Sequence, residues 1–333
     1  MKRLIAVLLI LGVLCFAALE SSSLLAQGSG KLAIHFINVG QADGILITQD
    51  DSQCVIVIDA GDTRYPSSAA HFKAYLTQHM AQGADIDLAV ATHPHSDHIG
   101  SMQWVLETYS VKTYLDNGQD HHTKLYTNLM ETVKQQKHSK GLEHVTYDDF
   151  PKSKQKPCGA NGPKIEALYP EEGLDPDLCE KQQNNCSVVT KLTWGQTTFL
   201  FPGDAEHEEE ELLLNDPQTK DALKADVLKV AHHGSDTSSD PKFLEAVNAS
   251  WMVISSGEKN IGTNKRYKHP RLSTVRYLLE YAGDETNLHR IDTYDANKRR
   301  WKKEPIWGQL FVTAYDDSVV LISDGVKIIK EQR

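Results

Sequence analysis

Residues 91–100 read Ala-Thr-His-Pro-His-Ser-Asp-His-Ile-Gly, so three imidazoles and a carboxylate fall within six positions. Neutral imidazole and carboxylate are the donors that borderline divalent cations take. On an extended segment His93 and His95 point the same way and can share one ion. The turn beyond can aim Asp97 and His98 at a second. Two ions held roughly 3.5–4 Å apart can clamp a scissile group and activate a hydroxide. Two later segments can complete such a set. Asp204, in Phe201-Pro202-Gly203-Asp204, could bridge two metals. In Lys229-Val230-Ala231-His232-His233-Gly234-Ser235, one of His232 and His233 is a ligand and the other a supporting group; the residues leave open which. Taken singly, Asp204 reads as a turn or capping residue; taken with the others it reads as a ligand.

These segments need strands to hold them. Residues 32–39, 54–59 and 86–92 are β-rich apolar runs, and the His cluster follows the last directly. Segments 66–82, 99–109 and 122–137 read as helices, and 150–185 as a surface loop with one strand at 164–169. Segments 187–193 and 197–201 form a hairpin around 194–196, and 226–231 is a strand. Helices at 206–214, 241–248 and 271–281 alternate with strands at 251–255, 307–314 and 318–323. Strands clustered with helices in both halves predict an α+β fold: a four-layer αββα sandwich of two mixed β-sheets flanked by helices, one domain over 31–330.

The chain has 333 residues, 40% of them apolar, enough to bury a core. A net charge of −10 excludes a protein that coats nucleic acid by bulk charge, so a polyanion would need a local basic patch or metal. Lys2 and Arg3 precede an apolar run from Leu4 to Leu19 and a small-residue exit near Ala26. That is the form of a secretory signal over 1–26, predicting a secreted or periplasmic protein with no membrane domain after removal. Retention as an anchor is the alternative. Beyond the leader, Cys54 fits a buried strand position, and one bridge is expected among Cys158, Cys179 and Cys186. No C-x-x-C spacing points to a thiolate metal site.

The pieces occur in a telling order: Phe36-Ile37-Asn38-Val39-Gly40-Gln41-Ala42-Asp43, Ile58-Asp59-Ala60-Gly61, the His motif, Asn184-Asn185-Cys186-Ser187, Gly203-Asp204, His232 to Ser239, and Lys268-His269-Pro270. From His35 to Asp324 this resembles the metallo-β-lactamase superfamily, and more closely the hydrolase domain of the DNA-uptake competence channel family (ComEC-like) and its stand-alone relatives. The resemblance implies two divalent ions, zinc with manganese as the alternative. It assigns His93 and His95 to one ion, Asp97 and His98 to the other, Asp204 as the bridge and a His of the 232/233 pair to the second ion. Asp59 would support them from beneath. The superfamily often has a third His where Asn185 stands, which would leave the first metal open to solvent and substrate. Asn38 and Ala42 replace the branch's usual Asp and Gly.

The resemblance also implies phosphodiester substrates, DNA among them. Asp97 or Asp204 would position the nucleophile, and His269 would meet the leaving group. Asn185, Ser235, Lys268 and His269 would contact substrate. Two basic runs fit an anion: Lys265 to Arg271, and Lys298-Arg299-Arg300-Trp301-Lys302-Lys303, where a Trp could stack a base. The reading is an exported metal-dependent phosphodiesterase or nuclease with no protein partner. The alternatives are another hydrolase of this fold, acting on choline-phosphate esters, lactones or β-lactams, and a binding module without turnover.

Overall fold

The protein is described by a computed structural model covering residues 30–332, apart from 50–53 and 171–172; the leader expected at 1–26 lies outside the described residues. In chain order, β1 (Leu32–Phe36), β2 (Gly44–Gln49), β3 (Val55–Ala60), β4 (Asp85–Val90), β5 (Ser110–Asp116) and β6 (Glu143–Thr146) build most of the first sheet. β1 to β3 pair antiparallel and β3 to β6 parallel. Side chains alternate across it. Ile56, Ile58, Leu88 and Val90 enter the central core, while Val57 and Ala89 enter a second one. Both faces are buried, which is why these strands read as unbroken apolar runs. Helices Pro66–His79, Met102–Thr108 and Lys124–Lys140 cover the second face with Phe72, Leu76, Val105, Leu129 and Val133.

The other sheet comprises β7 (Lys164–Ala167), β8 (Thr190–Trp194), β9 (Thr197–Phe201), β10 (Val227–Lys229) and β11 (Trp251–Ile254). A separate ribbon, β12 (His289–Asp295) with β13 (Arg300–Ile306), follows, and β14 (Leu310–Val312) then joins β11 to give the order β14-β11-β10-β9-β8-β7. β15 (Val319–Ser323) and β16 (Ile328–Lys330) return to the first sheet beside β1. The sheets meet face to face; Phe36 and Phe201, one from each, have ring centroids 6.2 Å apart. Helices His207–Asn215, Pro241–Val247 and Leu272–Leu279 add Leu213, Phe243, Leu244, Val275 and Leu278 to this core. The expected αββα sandwich of two mixed sheets is the fold.

Details differ. Helix 99–109 is two pieces, Ser96–Ile99 and Met102–Thr108, and a helix at Pro176–Lys181 interrupts the predicted loop. The basic run at 298–303 lies at the tip and on the second strand of the β12–β13 ribbon, its cations exposed on a strand paired on one side only. Cys54 is not simply buried: it pairs with Cys158, while Cys179 pairs with Cys186. The first bridge spans 104 residues and the second 7. In the chain-entropy account a loop of the first size is worth about 4–5 kcal/mol and the short one about half that. The Cys54→Ser/Cys158→Ser variant should therefore lose more stability in urea unfolding than Cys179→Ser/Cys186→Ser. Equal losses would refute that ranking.

Candidate metal centre

The loops that carry the suspected ligands leave the carboxyl ends of adjacent strands. β3 ends near Asp59, β4 runs into Thr92 and His93, β9 into Asp204 and β10 into His232 and His233. Helix Ser96–Ile99 places Asp97 and His98. Side chains from four strands thus converge at one edge of the sandwich.

The backbone there is tightly specified. Asp59, His232 and His233 adopt left-handed conformations, with φ of 56°, 46° and 53°. Such strain in non-glycine residues persists only where surrounding contacts enforce it, commonly at functional sites. Gly203 has φ of 58°, and a Cβ there would lie 2.9 Å from Thr92 Cβ, so only glycine lets Asp204 approach the β4 loop.

Hydrogen bonds orient each ring. Asp59 accepts from Thr92 N and from Thr92 Oγ1, both at 2.8 Å, and its Oδ2 lies 2.7 Å from His98 Nδ1. That contact holds the Nδ1 proton and turns Nε2 toward Asp204, 3.1 Å away. His233 Nδ1 donates to Ser255 O at 2.9 Å, which leaves Nε2 3.4 Å from Asp204 Oδ2 and 3.8 Å from Asp97 Oδ2. His93 Nε2 and His95 Nδ1 face each other at 3.0 Å. His232 is different: Nδ1 meets Glu206 at 3.0 Å, and Nε2 stands 3.8 Å from Asp204. Of the pair, His233 is the more enclosed and is the one in candidate ligand groups.

Donor atoms of His93, His98 and Asp204 lie within 4.8 Å of one another, as do those of Asp97, His98 and His233, and those of Asp43, Asp204 and His233. Asp43 is a site residue that sequence reading quoted only as part of a motif. It is buried, paired with Lys229 Nζ, and 3.5 Å from His233 Nδ1. Lys229 was missed too; its Nζ also donates to Gly203 O at 2.8 Å. The buried ammonium could have been suspected from a Lys standing inside an apolar strand.

The charge balance bears on whether these residues suit metal. Asp43, Asp59 and Asp204 are all buried, and Lys229 is the one buried lysine beside them among the described residues. Burial would protonate Asp43, but Lys229, His233 and His98 outweigh it and hold the carboxyl at about 2. Burial is likewise overcome at Asp204, which His233, His98 and His232 hold far below the usual range. Burial opposes charge on His233, yet Asp204 and Asp43 raise it to about 10. Asp204 and Asp59 overcome burial at His98 in the same direction. His93 goes the other way, lowered by burial and by His98 and His95. Asp43 Oδ1, Asp204 Oδ1, His98 Nε2 and His233 Nε2 are buried without a hydrogen-bond partner. Three carboxylates outnumber the one lysine, and imidazoles that balance the charge only by holding protons, with unpartnered donor atoms beside them, fit divalent cations that would replace those protons.

Competition between proton and metal gives a pH prediction. In metal-free protein the His233 proton contributes stability below its unfolded pKa of about 6.5, and this is lost as pH rises through about 10. Metal must displace that proton. The melting-temperature gap between metal-loaded and chelated protein should therefore widen from pH 6.5 to pH 10. A gap constant across that range would refute the assignment.

A cleft opens over these donors, lined by His95, Asp97, Asn184, Asp204, His232, His233, Ser235 and His269, with Arg64, Arg266, Tyr267 and Arg271 on its walls. Arg64 was not foreseen; it chelates Asp62 and reaches Asp97 Oδ1 at 3.4 Å. Ser235 lines the cleft, with Oγ 3.1 Å from Thr237 Oγ1. His269 lies ring to ring with His232 at 5.3 Å. Two expected substrate contacts are corrected. Asn185 is buried, its amide given to Gln182 and Glu208 and its carbonyl accepting from Glu209 N, so it fixes the loop beneath the cleft. Lys268 sits in a left-handed position that turns Nζ to Tyr294 Oη at 3.3 Å, and it is not among the cleft-lining residues.

Residues 37–157 match the family described as Metallo-beta-lactamase superfamily. The chain is 26% identical over 301 residues to ComE operon protein 3 of Bacillus subtilis, covering 84% of this chain and 35% of that protein. It is 36% identical over 110 residues to Competence protein ComA of Neisseria gonorrhoeae, covering 33% of this chain and 14% of that one. These matches support placing the chain in the metallo-β-lactamase superfamily, in the branch of the competence proteins. It spans about a third of the length of ComE operon protein 3. Among solved structures it aligns with Rm3 metallo-beta-lactamase at 14% identity over 79% of this chain and 94% of that one, with a TM-score of 0.37. Members of this superfamily bind divalent metals, and the His and Asp groups above are the candidate ligands here.

Proposed function

We propose that this superfamily hydrolase is a metal-dependent phosphodiesterase whose substrates include DNA. The observation that carries the reading is the make-up of the cleft: a floor of His and Asp donors beneath a wall holding Arg64, Arg266 and Arg271. Guanidinium forks match phosphate oxygens, and metal suits the charge that develops on them. His93 and His95 would hold one ion and Asp97, His98 and His233 a second, with Asp204 within reach of both sets and Asp59 holding His98 in its tautomer. Divalent ions held by this donor set would supply positive charge and acidify water.

The chain's own groups do the rest. Arg64 restrains Asp97 through the 3.4 Å contact. Gln41 Oε1 accepts from Gly257 N at 3.2 Å, so its amide nitrogen faces His269 Nδ1, also at 3.2 Å. His269 Nδ1 is thereby the acceptor, and its Nε2 carries the proton. Burial, with His232 and His233 nearby, holds the ring neutral. A neutral imidazole with a fixed Nε2–H can donate to a leaving oxygen. Gln41→Leu frees that tautomer and should lower kcat about tenfold with little change in KM. A KM effect with unchanged kcat would overturn this role.

The test of the reading is hydrolysis of bis-p-nitrophenyl phosphate and of single- and double-stranded DNA, with and without chelator. Turnover that chelator abolishes is expected; nitrocefin hydrolysis without phosphodiester cleavage would refute it. We also propose export, because two disulfides persist best in an oxidising compartment. Cytosolic fractionation with free thiols would refute that.

A further inference from the structure

Resting on the phosphodiesterase reading, we infer that the β12–β13 ribbon is a second binding site, which grips a single-stranded nucleic acid several nucleotides from the bond being cut. Between residues 259 and 303 stand twelve Lys and Arg against five Asp and Glu, in a chain whose net charge is −10. The ribbon is not hydrogen-bonded into either main sheet. It joins the cleft through backbone: Tyr294 N donates to Pro270 O at 3.0 Å, and Arg271 bridges to Tyr294. The ribbon tip, residues 296–299, comes directly after Tyr294 and Asp295, so it lies at the cleft end of the ribbon.

A ladder of rings and cations runs outward from there. Arg271, on the cleft wall, lies over the Tyr294 ring at 5.2 Å. Lys268 lies over the same ring at 4.8 Å. Tyr294 meets Trp301 edge to face at 5.6 Å, and Lys259 is 6.0 Å from the Trp301 ring. Trp301 is anchored by its Nε1 donating to Asn260 Oδ1 at 3.1 Å. Not every cation is available: Lys302 pairs with Glu304, Lys303 and Lys259 with Asp292, and Arg271 with Asp236. Lys298, Arg299 and Arg300 are exposed at the tip. A fixed, half-buried indole beside exposed cations is the combination that holds a strand, with the ring stacking a base and the cations following phosphates. A duplex hides its base faces, so a single strand is the favoured occupant. A small ester reaches the cleft and never touches the ribbon.

The readout is therefore a ratio. kcat/KM is measured on a 20-nucleotide single strand and on bis-p-nitrophenyl phosphate, for the wild-type chain and for two variants. One is Lys298→Ser/Arg299→Asn/Arg300→Ser, confined to exposed positions; the other is Trp301→Ala. In each variant the strand-to-ester ratio should fall at least tenfold, through KM. The triple variant should also flatten the salt dependence of strand binding, by a slope of about 2. Strands shorter than about four nucleotides should lose the advantage in wild type. An unchanged ratio, or a fall confined to duplex DNA, overturns the inference. If wild type cleaves neither substrate, the phosphodiesterase reading fails; anisotropy of the labelled strand then still decides, since equal affinity for wild type and variants overturns the ribbon site by itself.

Discussion

Asp204→Asn should lower turnover on the order of 10³-fold, with the folded protein intact. Among the described residues Asp204 is the one carboxylate with contacts to His98, His232, His233 and Lys229 together. Asparagine keeps its shape and removes its charge. The loss of one preorganised electrostatic partner at a reacting centre costs 10²–10³ in rate, and loss of bound cation would add to it. The same substitution takes from buried His98, His233 and Lys229 the carboxylate that holds their charge. Chelated Asp204→Asn protein should thus be less stable than chelated wild type near neutral pH, and the stabilisation from added zinc or manganese should shrink. Thermal melts with and without metal, beside turnover, separate the two effects. Full activity in the variant, or full stabilisation by metal, would remove Asp204 from the centre.

Lys229→Met should destabilise the chain by about 3–5 kcal/mol. Its ammonium is buried and pairs with Asp43, and burial there is overcome because Asp43 and Asp204 hold it charged. Removing one member of a buried pair strands the other, which costs more than the pair contributed. The double variant Lys229→Met/Asp43→Asn should recover part of the loss, giving a coupling energy that a denaturant cycle measures. Additive losses would mean that the pair acts through separate contacts. The position also matters for the centre, because Lys229 donates to the carbonyl of Gly203, one residue before Asp204. A strand end, a glycine with no room for a Cβ and a buried ammonium thus fix one carboxylate.

Much of this was legible in the chain itself. Local donor density marked the 93–98 segment, because metal chemistry needs specific residue types at short spacing. Apolar runs marked the strands of the first sheet because both of its faces are buried, so no polar alternation was needed to see them. What lay beyond reach depended on contacts between distant positions. Asp43 and Lys229 are 186 residues apart, and each alone is an ordinary acid or base. Asn185 sits in a motif, yet only the packed helix at His207–Asn215 shows its amide spent on structure. Cys54 found its partner 104 residues away. The basic run at 298–303 could not reveal that it forms a ribbon tied to the cleft, since strand pairing is a property of two segments.

Residue types and spacing by themselves determined the strand runs, the dense donors at 93–98 and the acidic balance, because these follow from side-chain chemistry and period. Tertiary structure alone decided which histidine of the pair faces Asp204, which carboxylates share a buried charge, and where the cationic ribbon stands. Those are set by distances in space, and electrostatic energy and hydrogen bonding depend on distance in space rather than along the chain.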